Sequence, residues 1–490
     1  MSVSIYSHLK KDNFEIRILD ILPSESYSEP VECVLRTISL AANPIPRYTA
    51  LSYTWGPYHH VSDITVNNAP CNVTSNLASA LRHLRHNKES ISVWADAVCI
   101  NQNDDKEKTE QLFIMEDVYR DAEKVLAWLG VESGDSSLAM KMIQRWASGE
   151  VRYLANKESS SGLLVGSNQD EAFGKAAMTA INNLLQRPYW TRMWVQQEVA
   201  LAQSVIVQCG RDSLPFDIFV QAHSEWERKR KRIATTPDFV QNWQKLAVPM
   251  GDNETSIHSL IKLRQEQQSL IAAPEQTHSH RTSLFDFLRS YQHLQSTDPR
   301  DRIYALLGLY SPMSRYRSQI QPSYQKKAHE VFCDVARVLI DGDHSLRAAA
   351  FARNLSSSSP VTSLPSWVPD WTGTEVLYPL HAVSHGKCQD SRSEFDISSY
   401  VRIAIDGRTL SVRGALCDRV SALHANWAKI YQNKPTGLLN LIQGRALPNG
   451  HTVIQSIFHL LCNNLEPTMT AFLLNKQKLG WLRPLNFYDF

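Results

Sequence analysis

Between residues 47 and 210 short apolar runs alternate with helical stripes, and this alternation predicts an α/β domain. Arg47–Tyr53 (RYTALSY) is a β-prone run that stops at the turn signal Trp55-Gly56-Pro57. Leu77, Leu81 and Leu84 recur at helical spacing, Ser75 or Asn76 can cap that helix, and Arg82 and Arg85 fall on its wet side. Ile91–Ala95 (ISVWA) is strand-like again, with Asp96 at its carboxyl end. Asp104 or Asp105 opens the next helix, whose inner face is Leu112, Met115, Tyr119 and Ala122. Val125–Leu129 and Ser204–Cys209 are further apolar runs, closed by Gly130 and Gly210. Strands separated by such helices predict a parallel sheet covered on both faces. Ligands of such sheets sit outside the carboxyl ends of the strands, which is where Trp55, Asp96 and their loops fall.

The rest of the chain divides by pattern. Residues 1–46 read as an N-terminal extension, 47–210 as the α/β domain, 211–352 as a helical region, and 353–490 as a mixed region. Residues 131–174 are polar and Ser/Gly-rich around one short amphipathic stretch and read as an insertion. The helical region is expected at Phe216–Arg232, Phe239–Val248, Ile257–Leu270, Leu284–Tyr291 and Gln325–Ile340. Ser356–Ser359 reads as a polar linker, and Tyr400–Ile405, Thr409–Gly414 and Asp418–Leu423 as a small β-rich unit.

Composition narrows the class. With 51 basic and 49 acidic residues no global field attracts nucleic acid or an anionic membrane. The 19 Gly and 22 Pro in 490 residues lie far below the roughly 25–30% of low-complexity chains. The eight Cys include no CxxC pair, so no zinc ribbon or thioredoxin-type motif is present. Cys33, Cys99, Cys209 and Cys333 lie in apolar segments and read as small hydrophobes. No signal peptide and no membrane span are expected, which points to a reducing, cytoplasmic location. GxGxxG and GxxxxGK[ST] are both absent, which argues against a Rossmann dehydrogenase or a P-loop switch. Adjacent His59 and His60 have no acidic or Cys partner nearby, so no metal site is expected. The basic run Glu227–Arg232 (ERKRKR) reads as a solvated helix end, and Asp298–Leu309 (DPRDRIYALLGL) as a salt-bridged helix start.

Three stretches stand out: YTALSYTWGP (Tyr48–Pro57), VWADAVCINQNDD and its continuation (Val93–Gly130), and RPYWTRMWVQQEVALAQ (Arg187–Gln203). In content and order they resemble the heterokaryon incompatibility (HET) domain of filamentous fungi. Asp298–Leu309 and LPSWVPDW (Leu364–Trp371) are similar to segments that follow this domain in many members. The resemblance implies a role in non-self recognition that ends in regulated cell death. It also implies protein partners, including self-association through the HET domain. HET domains have been likened to TIR domains, so the implied fold is a TIR/flavodoxin-like parallel sheet flanked by helices. Some TIR domains cleave NAD, and their catalytic Glu follows a Trp by four residues, the spacing of Trp194 and Glu198 here. NAD is then a substrate, and no resident cofactor is implied.

The residues admit two readings. Cleavage at the nicotinamide–ribose bond needs a fixed carboxylate beside an oxocarbenium-like ribose, which Glu198 could supply with Tyr53, Trp55, Gly56, Asp96 and Trp194 lining the site. Equally, Glu198 can pair with Arg192, Asp96 can cap a turn, and the Tyr53–Gly56 corner can pack in a core. Cys99 lacks a His/Asn partner and reads as a buried thiol, while Asn101, Gln102 and Asp104 order a loop and cap a helix. An open Glu198 beside Trp55 and Asp96 favours an enzyme. One buried in an ion pair favours a non-catalytic interaction module.

Overall fold

The structure, a computed structural model, describes residues 5–56, 61–149, 151–154, 163–166, 172–173, 175–234, 253–272, 283–309, 314–342, 347–352, 361, 363–373, 401–403 and 409–412. Two compact units divide the chain, one of residues 1–335, 357–363 and 371–375, the other of 336–356, 364–370 and 376–490. In the first unit β1 (Glu15–Ile21) and β2 (Glu32–Ser39) precede β3 (Thr49–Tyr53). A hairpin of β4 (Val61–Val66) and β5 (Ala69–Thr74) and helix α1 (Ser75–Leu84) lead to β6 (Ile91–Trp94). Helices α2 (Asp96–Cys99) and α3 (Asp105–Asp121) follow, then β7 (Lys124–Trp128) and α4 (Ser136–Ala147). Short strands β8 (Val151–Leu154), β9 (Leu163–Gly166) and β10 (Ala172–Phe173) form a separate sheet. Next come α5 (Lys175–Leu185), α6 (Val195–Leu201), and the antiparallel pair β11 (Val205–Cys209) and β12 (Asp212–Pro215).

The main sheet has nine strands in the order β12-β11-β7-β3-β6-β1-β2-β4-β5. It is mixed. Its centre, β11-β7-β3-β6, is parallel throughout and is built from the four apolar runs legible in the sequence. All five residues of β3 are buried, as befits a central strand covered on both faces. The chain steps from β3 out to β6 and then back past β3 to β7, so strand order reverses around β3. A crevice at the carboxyl ends is expected at such a reversal.

Two expectations need correction. Residues 1–46 are not appended to the domain: β1 pairs antiparallel with β6 and β2, continuing the sheet. A seven-residue run buried at four consecutive positions, as β1 is, lacks the alternation that would identify a strand before its neighbours are known. Similarly, the start of the presumed insertion is core. Ala139, Met140, Met142, Ile143 and Trp146 of α4 are buried, and α4 packs against α5 and α7 (Phe216–Ala234). Capping signals fared better. Asp104 caps α3, accepting from the Lys106 and Glu107 amides at 2.9 and 3.1 Å. Thr74, one residue before the expected cap, takes that role for α1 and leaves Asn76 free for other bonds.

Further helices are α8 (Asn253–Ala272), α9 (Leu284–Ser290), α10 (Asp301–Leu307), α11 (Ser314–Arg317), α12 (Ala328–Gly342) and α13 (Arg347–Phe351). In the second unit β13 (Val401–Ile403) and β14 (Leu410–Val412) form an antiparallel hairpin. The helix expected at Phe239–Val248, the linker Ser356–Ser359 and the strand Asp418–Leu423 lie outside the described residues.

A buried cation ties β1 to the loop after β6. Arg17, 2% exposed, grips Glu107 with two bonds of 2.6 and 3.0 Å, and also donates to the Cys99 carbonyl at 3.1 Å and to the Ser7 carbonyl. Removing Glu107 alone strands this guanidinium without a counter-charge. Glu107→Ala is therefore expected to destabilise the unit by about 3–5 kcal/mol. The Arg17→Met/Glu107→Leu double change should cost less than the two single changes summed, as read from urea unfolding followed by tryptophan fluorescence.

Candidate functional site

Three elements bring polar side chains to the carboxyl end of β3. Ser52 and Tyr53 end the strand itself, Asp96 starts α2 directly after β6, and Glu198 projects from α6, which packs against β3 and β7. The seven residues of α6 are all buried, Glu198 among them at 2% exposure. Val195, Val199 and Ala202 are its buried apolar anchors.

Glu198 is satisfied from within the domain. The Ser52 hydroxyl donates to its Oε2, and because serine has one proton, the Tyr189 hydroxyl 2.8 Å away must donate to Ser52. Burial pushes the Glu198 carboxyl up to about 7, against the lowering effect of Arg192 and Ser52, with Asp96 adding to the rise. Arg192 donates to the Tyr53 carbonyl and makes no ion pair with Glu198 within 4 Å; it acts on the carboxyl through its field alone. Glu198 is therefore buried but not ion-paired. It matches neither of the two arrangements that would separate the enzyme from the interaction module.

Asp96 is half-buried at the surface of the same cluster. Its Oδ2 accepts from the Trp55 indole at 2.8 Å and its Oδ1 from the Ala97 amide at 2.8 Å, so it both caps the turn and orients the tryptophan. Tyr53 is fully buried, and the Asp96 carboxylate acts on its hydroxyl. Gly56, exposed beside Trp55, has a φ of +78°, a left-handed conformation that glycine adopts without strain. Trp194 turns elsewhere. Its indole lies towards Asp301 of α10 and lowers that carboxyl, which burial nonetheless pushes up to about 6 and which accepts from the Tyr324 hydroxyl at 2.8 Å. Trp55, Asp96, Tyr53 and Glu198 are thus gathered, and Trp194 is engaged by the helical region. Cys99 is fully buried, burial pushes its thiol up to about 12, and its sulfur accepts from the Ala95 amide, as suits a structural thiol.

Sequence reasoning missed Ser52, Tyr119 and Tyr189, whose hydroxyls bear on Glu198. It also missed what holds α6. The carbonyls at the end of this short helix lack helical partners. Arg264 of α8 donates to Val199 at 2.6 Å and to Ala202 at 2.7 Å, and Gln268 donates to Ala200 and Ala202, both at 3.1 Å. No local signal links Arg264 to a helix more than sixty residues earlier. His59 and His60 lie outside the described residues, among which no group of three or more His, Cys, Asp or Glu could hold a metal. Among those residues, too, no helix is long and apolar enough to cross a membrane.

Residues 48–198 match the family model described as Heterokaryon incompatibility protein (HET). This segment is similar to the HET family. It begins one residue before β3 and ends at Glu198, so it contains every residue of the strand-end cluster. The chain is also similar to Heterokaryon incompatibility protein 6, OR allele, of Neurospora crassa, with 26% identity over 418 residues. That alignment covers 74% of this chain and 59% of the relative, so the chain matches well under two thirds of that protein's length. No solved structure matches the chain.

The raised pKa of Glu198 makes ionisation of its carboxyl a cost to folding. Its folded-state value, about 7, exceeds the ordinary 4.5, so the penalty is absent below pH 4.5, grows as pH rises, and is complete above pH 7. The full penalty is on the order of 3 kcal/mol. Glu198→Gln should flatten the stability profile between pH 5 and 7 in urea titrations. An unchanged slope would mean that another group titrates there.

Proposed function

We propose that this chain acts in fungal heterokaryon incompatibility, in the cytoplasm, converting non-self recognition after hyphal fusion into regulated cell death. In this reading residues 47–210, with a TIR-like arrangement of sheet and helices, are the signalling unit, and 211–352 regulate it. The HET domain self-associates and cleaves NAD at the nicotinamide–ribose bond. The observation that carries this reading is the convergence of Glu198, Asp96 and Arg192 around the end of β3, each acting electrostatically on the others. A buried carboxyl with a raised pKa, gathered with a second carboxyl and a cation at the reversal of a parallel sheet, is the kind of arrangement that active sites use.

The chemistry follows from charge. The C–N bond breaks heterolytically, its electron pair leaves with neutral nicotinamide, and a water adds to the ribose carbon. The ionised Glu198 carboxylate stabilises the cationic ribose and accepts the proton of that water; Asp96 holds a ribose hydroxyl, and Trp55 shields the site from solvent. With Glu198 closed over by Ser52, α6 must shift before a ribose can approach, a change that self-association is proposed to supply. The same burial favours the second reading, a non-catalytic module whose Glu198 only braces α6.

The two readings separate in one experiment. The assembled full-length protein is incubated with NAD and nicotinamide is followed by chromatography. Catalysis predicts turnover that rises with pH through about 7, because the ionised carboxylate is the active form, and that falls at least a hundredfold in Glu198→Gln. Absence of nicotinamide release from oligomers that form normally would leave the interaction module as the function.

A further inference from the structure

Away from Glu198, two arginines of the first unit have no partner that accounts for them. Arg82 of α1 lies 6.0 Å, and Arg211 of the β11–β12 turn 5.5 Å, from the centre of one ring, that of Tyr27. Neither guanidinium makes a hydrogen bond or ion pair with any described residue, and the Nε of Arg82 is buried without an acceptor. The nearby acid, Glu132, sits 3.8 Å from His83 instead. Two like charges beside one aromatic ring repel, and contact with the ring uses none of their N–H donors.

The surface that presents them is braced. Arg85, one turn further along α1, donates to the carbonyls of Ser26, Tyr27, Glu29 and Pro30 at 2.7–3.1 Å and so fixes the β1–β2 connection. Tyr27 is held there 47% exposed. His83 supports it from beneath: the two rings meet edge-on at 5.3 Å, the Tyr27 hydroxyl lies 3.2 Å from Nδ1, and His83 in turn packs on Trp128 at 4.9 Å. Trp128 donates to Asn76 at 2.9 Å, and Asn76 donates to the Thr54 carbonyl at 2.6 Å, which roots the whole patch at the end of β3. Cations with unused planar donors beside one aromatic ring fit an anion that accepts bidentate bonds from both.

We propose that Tyr27, Arg82, His83 and Arg211 form a binding site for a diphosphate group, free or carried by a nucleotide. A diphosphate offers each guanidinium its own anionic centre, and their joint neutralisation removes the repulsion across Tyr27. The site does not involve Glu198, so this inference and the NAD reading stand or fall separately.

Isothermal titration of the full-length protein with inorganic pyrophosphate, ADP and inorganic phosphate tests it. Pyrophosphate and ADP should bind, phosphate more weakly, and Arg211→Gln should weaken both ligands about tenfold or more. Arg211 is exposed on a turn, so this variant keeps the fold; Arg82→Lys, which keeps the charge and loses the fork, should bind between wild type and Arg82→Gln. Binding of ADP without free pyrophosphate assigns the group to a nucleotide. Binding of both with equal affinity assigns it to the diphosphate alone. Absence of binding at millimolar ligand, or an Arg211→Gln variant that binds as wild type, overturns the proposal.

Discussion

The candidate site depends on how seven residues of α6 are held against the sheet. A helix of that length cannot persist by its own hydrogen bonds, because the fraction of backbone groups left without partners is too large. Here its terminal carbonyls are taken up by Arg264 and Gln268 from α8, and its one ionisable side chain by Ser52 from β3. The cation at the carboxyl end of α6 also matches the negative pole of the helix. Glu198 is thus placed by two partners from opposite directions in the chain, one before it in the HET domain and one after it in the helical region.

A buried carboxyl satisfied by hydroxyls, with a cation acting at a distance, has a consequence for both readings of the protein. In the closed arrangement the group stays inert, since Ser52, itself paired with Tyr189, occupies it and burial favours its protonated form. Any change that moves α6 exposes a carboxyl already tuned near neutrality, next to Asp96 and Trp55. Trp194 adds a second tie to the helical region through Asp301 and Tyr324. Elements that follow residue 198 therefore flank α6, with α8 at its carboxyl end and α10 packed against it.

The legible part of the site was its backbone address. Tyr53, Trp55 and Asp96 follow apolar runs, and a strand that ends in a turn residue marks its own carboxyl end without help from the rest of the chain. The alternation of those runs with helical stripes was likewise sufficient for the parallel centre of the sheet. Trp194 and Glu198 share a helical spacing, yet their side chains part: one reaches Asp301 and the other Ser52. Spacing along a helix reports the direction a side chain leaves, not the neighbour it finds.

What the amino-acid order determined by itself is local: the four central strands, the Asp104 cap, the amphipathic stripes, and the three residue blocks that mark the HET domain. These follow from short-range sterics, hydrogen bonding and hydrophobic periodicity, all of which are written within a dozen residues. The tertiary structure alone decided that β1 and β2 extend the sheet, that α4 belongs to the core, and that Arg264 closes α6. It decided, too, that Arg82 and Arg211 meet over Tyr27 while Arg192 stops short of Glu198. Each of these depends on which distant segment supplies a partner for a buried polar group or an edge strand, and no local pattern encodes that choice.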